Sequence, residues 1–172
     1  MSAPEFSRLV KLDRLPAAPI TLTANDDECR RLAGRFALPS LARLEAVLTL
    51  TAEGEVIEAR GRLWASFEQS CALAGNPFPN ALDEPLALRF VPALALLAED
   101  EEHEFGADEP DEIEYSGNAI DLGEAVAQSF GLAIDPYATG PDAETARKEA
   151  GLGEGSGSGA FAALAALKPP KP

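Results

Sequence analysis

The chain has 172 residues, enough for one domain with a tail and for a core that needs no covalent staples. Two cysteines, Cys29 and Cys71, exclude a disulfide framework, and no basic-then-apolar leader or long apolar run is read, so a cytoplasmic protein with no membrane segment is expected. The net charge of −15 is one-sided: Met1 to Arg62 holds nine basic and nine acidic residues, and the remaining 110 residues hold five basic and 20 acidic ones. Such a chain repels phosphate backbones unless a local basic patch overcomes the field, and it suits a basic protein partner better than free nucleic acid.

In chain order, Phe6 to Leu12 reads as a short strand or extended arm, and Pro16 and Pro19 forbid a regular helix after it. Ile20 to Thr23 reads as a short strand. Asn25 is placed as a helix N-cap with Glu28 at the capping-box position, and the helix is expected to end near Phe36. Its residues Cys29, Leu32, Ala33 and Phe36 share one apolar face suited to covering a sheet. Leu44 to Leu50 and Ile57 to Leu73 alternate apolar and polar, with Gly54 in a turn between them, so the two runs are predicted as a hairpin.

Ala74 to Asn80 is rich in loop residues, and Leu86 to Val91 alternates as a further strand ended by Pro92. Ten acids lie between Glu99 and Glu114, and this run is expected as a solvated acidic loop. An edge strand is expected at Ile113 to Tyr115. Asp121 is placed as the N-cap of a second helix whose face is Leu122, Ala125, Val126, Ser129, Phe130 and Ala133. The expected organisation is one α+β domain over residues 1–137, a flexible linker over 138–159 and a short apolar C-terminal peptide over 160–172. The domain is an antiparallel β-sheet packed by two or more helices, with the acidic loop and the flexible tail appended.

No catalytic constellation stands out. Cys71 has strand parity that points it inward, which favours packing; a nucleophilic cysteine wants a histidine base, and the one histidine, His103, sits in the acidic run. Three Cys and His residues in all are too few for structural zinc, and the acidic run lacks calcium-loop spacing, so no metal or cofactor is expected. The exposed parity of the second strand carries Arg60, Arg62 and Trp64, a basic pair beside an aromatic. This group reads either as an RNA contact or as a sheet face whose charge Glu58 and Glu68 offset. Phe161, Leu164 and Leu167 either dock back on the domain or recruit a partner.

The ordered set of segments resembles a known family. It comprises Asn25-Asp26-Asp27-Glu28-Cys29-Arg30-Arg31-Leu32, Phe67-Glu68-Gln69-Ser70-Cys71, Asp83-Glu84-Pro85-Leu86-Ala87-Leu88-Arg89-Phe90, an acidic run, Ile120-Asp121-Leu122-Gly123-Glu124, and Leu132-Ala133-Ile134-Asp135-Pro136-Tyr137. This resembles the YceD family, also called DUF177, the bacterial large ribosomal RNA subunit accumulation proteins, and most closely their alphaproteobacterial branch. The resemblance runs from about Phe6 to Tyr137, and the terminal Phe161-Ala162-Ala163-Leu164 matches part of a peptide with which family members often end. Many family members carry a Cys-x-x-Cys at the end of the hairpin strand, where this chain has Glu68 before Cys71.

The resemblance implies a non-enzymatic ribosome-biogenesis factor that supports 23S rRNA accumulation and large-subunit assembly. A basic ribosomal protein or a large-subunit assembly factor is the implied partner, and direct rRNA contact is the secondary version. Two alternatives come from other classes: a metal-dependent nuclease or hydrolase acting on rRNA precursors, and a general acidic chaperone for basic proteins.

Overall fold

A computed structural model describes residues 4–93 and 111–151. The fold class is α+β, as the alternation and helix patterns predict. The chain divides into two compact units, Met1–Gln69 with Pro79–Asp135, and Ser70–Phe78 with Pro136–Pro172.

The first unit is built on a five-stranded sheet. Its strands are β2 (Ile20–Thr23), β3 (Ser40–Glu53), β4 (Val56–Ser70), β5 (Pro77–Pro92) and β6 (Asp111–Tyr115), hydrogen-bonded in that order. The β3–β4 hairpin forms as expected, from Ser40 opposite Glu68 to Glu53 opposite Val56. Gly54 supplies a φ of +65° at its turn, a conformation costly for other residues. A smaller two-stranded sheet pairs β1 (Leu9–Lys11) with β7 (Ala119–Asp121), the latter not foreseen in the sequence.

Two helices supply the cover that the hairpin needs. In α1 (Asp26–Arg35) the Asn25 side chain accepts from the Glu28 N–H, while the Glu28 carboxylate accepts from the Asn25 N–H, a complete capping box. Its buried face of Cys29, Leu32 and Ala33 is the one read from the sequence. In α2 (Leu122–Ala133) Asp121 caps the N–H groups of Gly123 and Glu124. The Glu124 side chain completes no box; it binds Arg35 instead.

Phe130 of α2 gathers the layers. Its ring meets Phe36 edge-on at 5.5 Å and Phe67 of β4 at 5.4 Å, so one aromatic joins the end of α1, α2 and the sheet. The inward residues Leu44, Ala46, Leu48, Ala59, Leu63, Leu88 and Phe90 complete the core with Phe6 and Val126.

Four expectations change. The sheet is mixed, because β6 runs parallel to β5. The edge strand expected at Ile113 to Tyr115 forms, but it starts earlier: Asp111 and Glu112, read as part of the acidic loop, lie in β6, where Ile113 packs against the core and Glu112 and Glu114 face out. The strand expected from Leu86 begins at Pro77 instead. β6 pairs only with Leu88–Pro92, so among the described residues the earlier half of β5 has a free side, where proline needs no ladder partner.

The fourth change concerns the second unit. Residues 138–159 were expected as linker, yet α3 (Ala143–Glu149) lies there. Buried Ala143 and the Asn76 side-chain bond to the Asp142 carboxylate at 3.2 Å tether that helix. Among the described residues no helix is long and apolar enough to cross a membrane.

Candidate interaction surface

Strand parity puts Glu58, Arg60, Arg62, Trp64, Ser66 and Glu68 on the sheet face opposite the core. The register sets Trp64 across from Glu45, Arg62 across from Val47 and Arg60 across from Thr49. Arg60, Arg62 and Trp64 therefore share one face, as predicted, with Trp64 half-buried.

Both arginines already have carboxylates. Arg60 binds Glu58 at 3.1 Å, and Arg62 donates to the Asp83 carboxylate on β5. The same holds across the face: Arg43 binds Glu45 at 2.8 Å, and Arg89 binds Glu112 on β6. Glu68 accepts from the Ser40 hydroxyl at 2.9 Å rather than offsetting an arginine. The face is thus a lattice of matched charges. Each exposed pair adds little stability, but together they leave few cations open to phosphate. Asp83 carried no local signal in the sequence, because its partner lies 21 residues away and only strand pairing brings them together.

The β6 side of the sheet is different. Asp111, Glu112 and Glu114 of β6 are exposed, and Asp111 and Glu114 form no ion pair among the described residues. The Tyr115 hydroxyl donates to the Glu55 carbonyl at 2.6 Å, which sets the acidic β3–β4 turn beside the end of β6. Burial, and then the Glu55 charge, push the Tyr115 phenol above its ordinary value. The edge strand was expected, but its acidity as a surface property emerges only once Asp111–Glu114 are seen in the sheet.

Cys71 was expected as a core residue at the end of the hairpin strand. It is buried, but β4 ends at Ser70 and the chain turns away: the Cys71 N–H donates to the Asn76 carbonyl and its own carbonyl accepts from Gly75, both at 2.8 Å. The thiol sits in the second unit, outside the main hydrophobic cluster, and accepts from the Ala74 N–H at 3.3 Å. That N–H, with those of Gly140 and Leu73, lowers the thiol's pKa against the opposing effect of burial.

On the exposed side of α1, Arg30 pairs with Asp27 and Arg31 donates to the Asp27 carbonyl; the three line a shallow depression. Among the described residues no group of three or more His, Cys, Asp or Glu side chains is arranged to hold a metal ion. Phe161, Leu164 and Leu167 lie outside the described residues. No protein-family model, no curated protein and no solved structure matches the chain.

Proposed function

We propose that the protein is a non-enzymatic ribosome-biogenesis factor that supports 23S rRNA accumulation and large-subunit assembly by binding a basic ribosomal protein or assembly factor. The ordered family-like segments support the ribosomal part of this reading. The observation that carries the choice of a protein partner over RNA is the charge distribution. Arg43, Arg60, Arg62 and Arg89 are each matched by a neighbouring carboxylate, while the surplus negative charge lies from β5 onward. A surface of that kind steers basic partners and repels a phosphate backbone.

The test is capture of large-subunit precursor particles on the tagged full chain, with and without nuclease. A basic large-subunit protein retained after nuclease treatment is the expected result; loss of every association with nuclease overturns it. The double variant Arg60→Ala with Arg62→Ala should leave the nuclease-resistant capture unchanged. If direct rRNA contact by the Arg60, Arg62 and Trp64 face were the function, that variant would abolish association.

A further inference from the structure

Among the described residues β6 is the last strand of the sheet and pairs with β5 alone. Within a strand the N–H and C=O of one residue point to the same side, and successive residues alternate. The Tyr115 carbonyl accepts from the Ala93 N–H at 3.0 Å, just past the end of β5. Tyr115, Ile113 and Asp111 therefore turn their backbone groups towards β5, and Glu112 and Glu114 turn theirs to the open edge. An open row of this kind is a template for another strand unless it is blunted. The half of β5 that β6 leaves unpaired among the described residues carries Pro77, Pro79 and Pro85, and β2 is only four residues long; β6 contains no proline.

The side chains of β6 say what would fit. Glu112 and Glu114 stand on the face shared with Arg89 and Val91, their register partners; Glu112 is bound to Arg89, while Glu114 forms no ion pair among the described residues and carries the open charge. Residues opposite them on an added strand would lie about 5 Å away, where opposite charges stabilise and like charges destabilise. On the other face Ile113 and Tyr115 are half-buried against the core, so the intervening residues of an added strand would extend an apolar surface. A second copy of this chain is a poor occupant, because β6 against β6 would bring acidic edges together at a net charge of −15 per chain.

We propose that β6 accepts an extended segment of a partner protein as an added strand, with lysine or arginine at every second position and apolar residues between them. This deepens the reading of a basic protein partner and rests on it. Main-chain bonds to Glu112 and Glu114 supply register, and the alternating charge supplies selectivity.

The experiment uses the full chain and two labelled peptides of equal composition, one with alternating lysine and valine and one with the lysines and valines in separate blocks. Affinity is measured by fluorescence anisotropy, and backbone hydrogen exchange is followed residue by residue. The alternating peptide should bind at least about tenfold tighter than the block peptide, and should slow exchange at Glu112 and Glu114. Glu114→Pro removes one outward N–H while leaving the ladder to β5, and should weaken the alternating peptide about tenfold. Glu114→Gln keeps that N–H and should cost only about two- to fivefold.

Equal affinity for the two peptides, unchanged binding by Glu114→Pro, protection away from β6, or a self-associated chain paired through β6 would each overturn the proposal. The exchange pattern of the unmutated chain decides the matter should Glu114→Pro fail to fold. If the edge results are negative while the nuclease-resistant basic partner is still captured, the added-strand proposal falls and the wider reading stands; if that capture fails too, both fall.

Discussion

The Arg8 guanidinium grips the Glu28 carboxylate with two bonds, Nη1 to Oε1 at 2.7 Å and Nη2 to Oε2 at 2.9 Å, across 20 residues of chain. Glu28 also caps α1 through the Asn25 N–H, and Arg8 donates to the carbonyls of Ser7 and Thr23. One ion pair thus ties the N-terminal arm, the end of β2 and the start of α1 together. Arg8→Met should cost about 2 kcal/mol, less than for a fully buried pair because the arginine is partly exposed.

The Arg8 hydrogen bond holds the Glu28 carboxyl below its ordinary value of 4.5, against the opposing effect of burial. A lowered carboxyl contributes stability that is fully present above that ordinary value and is lost as pH falls through the folded one. Glu124, lowered first by its hydrogen bond to Arg35, acts in the same direction. Urea midpoints of the unmutated chain should fall steeply below about pH 4.5, and Glu28→Gln should flatten that fall. Parallel pH profiles for the two proteins would contradict this account.

The two helix caps should differ in cost. Asn25 caps one N–H of α1. Asp121 accepts from Gly123 and Glu124 at the start of α2, and also from the Arg8 N–H at 2.8 Å and the Ser7 hydroxyl at 2.6 Å. Asn25→Ala is expected to cost about 1 kcal/mol, and Asp121→Ala about 2–3 kcal/mol because the N-terminal arm is released as well. Chemical denaturation of the two variants reads the order directly.

Gly61 lies where β3 and β4 approach closely, and a Cβ there would stand 1.8 Å from the Val47 carbonyl oxygen. The obstacle is backbone, so a strand must move. At Gly131 a Cβ would meet the Phe36 ring at 2.4 Å, but that ring is only half-buried and can shift. Gly61→Ala should therefore lower stability by about 2–4 kcal/mol, and Gly131→Ala by less. An unchanged urea midpoint for Gly61→Ala would refute the strand geometry.

The two thiols should titrate in opposite directions. Burial pushes Cys29 up, whereas backbone N–H groups, Ala74 first, bring Cys71 down. Thiolate absorbance followed through a pH titration should appear earlier in Cys29→Ala, which keeps Cys71, than in Cys71→Ala. The reverse order would mean that the Ala74 N–H does not reach the sulfur.

Local chemistry made much of the fold legible in the sequence. Asn25 and Glu28 mark a capping box by spacing alone, the parity of Leu63, Ala65 and Phe67 marks a buried strand face, and Gly54 marks the hairpin turn. These signals are read over two to seven residues, the range over which a strand or helix repeats.

What lies beyond that range had to wait for the folded chain. Glu58 matches Arg60 from two residues away on the same strand, as its spacing suggests, but Arg62 and Asp83, which no spacing rule connects, become a matched pair only through strand pairing. The parallel placement of β6 on β5 turns part of an acidic run into a sheet edge, because Ile113 gains a core to pack on. Cys71 follows its strand parity in being buried, but the turn after Ser70 decides that its neighbours are backbone N–H groups rather than the main core. Side-chain periodicity determined which residues are inside; the partners of Arg8, Arg35, Arg62 and Arg89 are set by contacts between distant segments, which only the tertiary structure brings together.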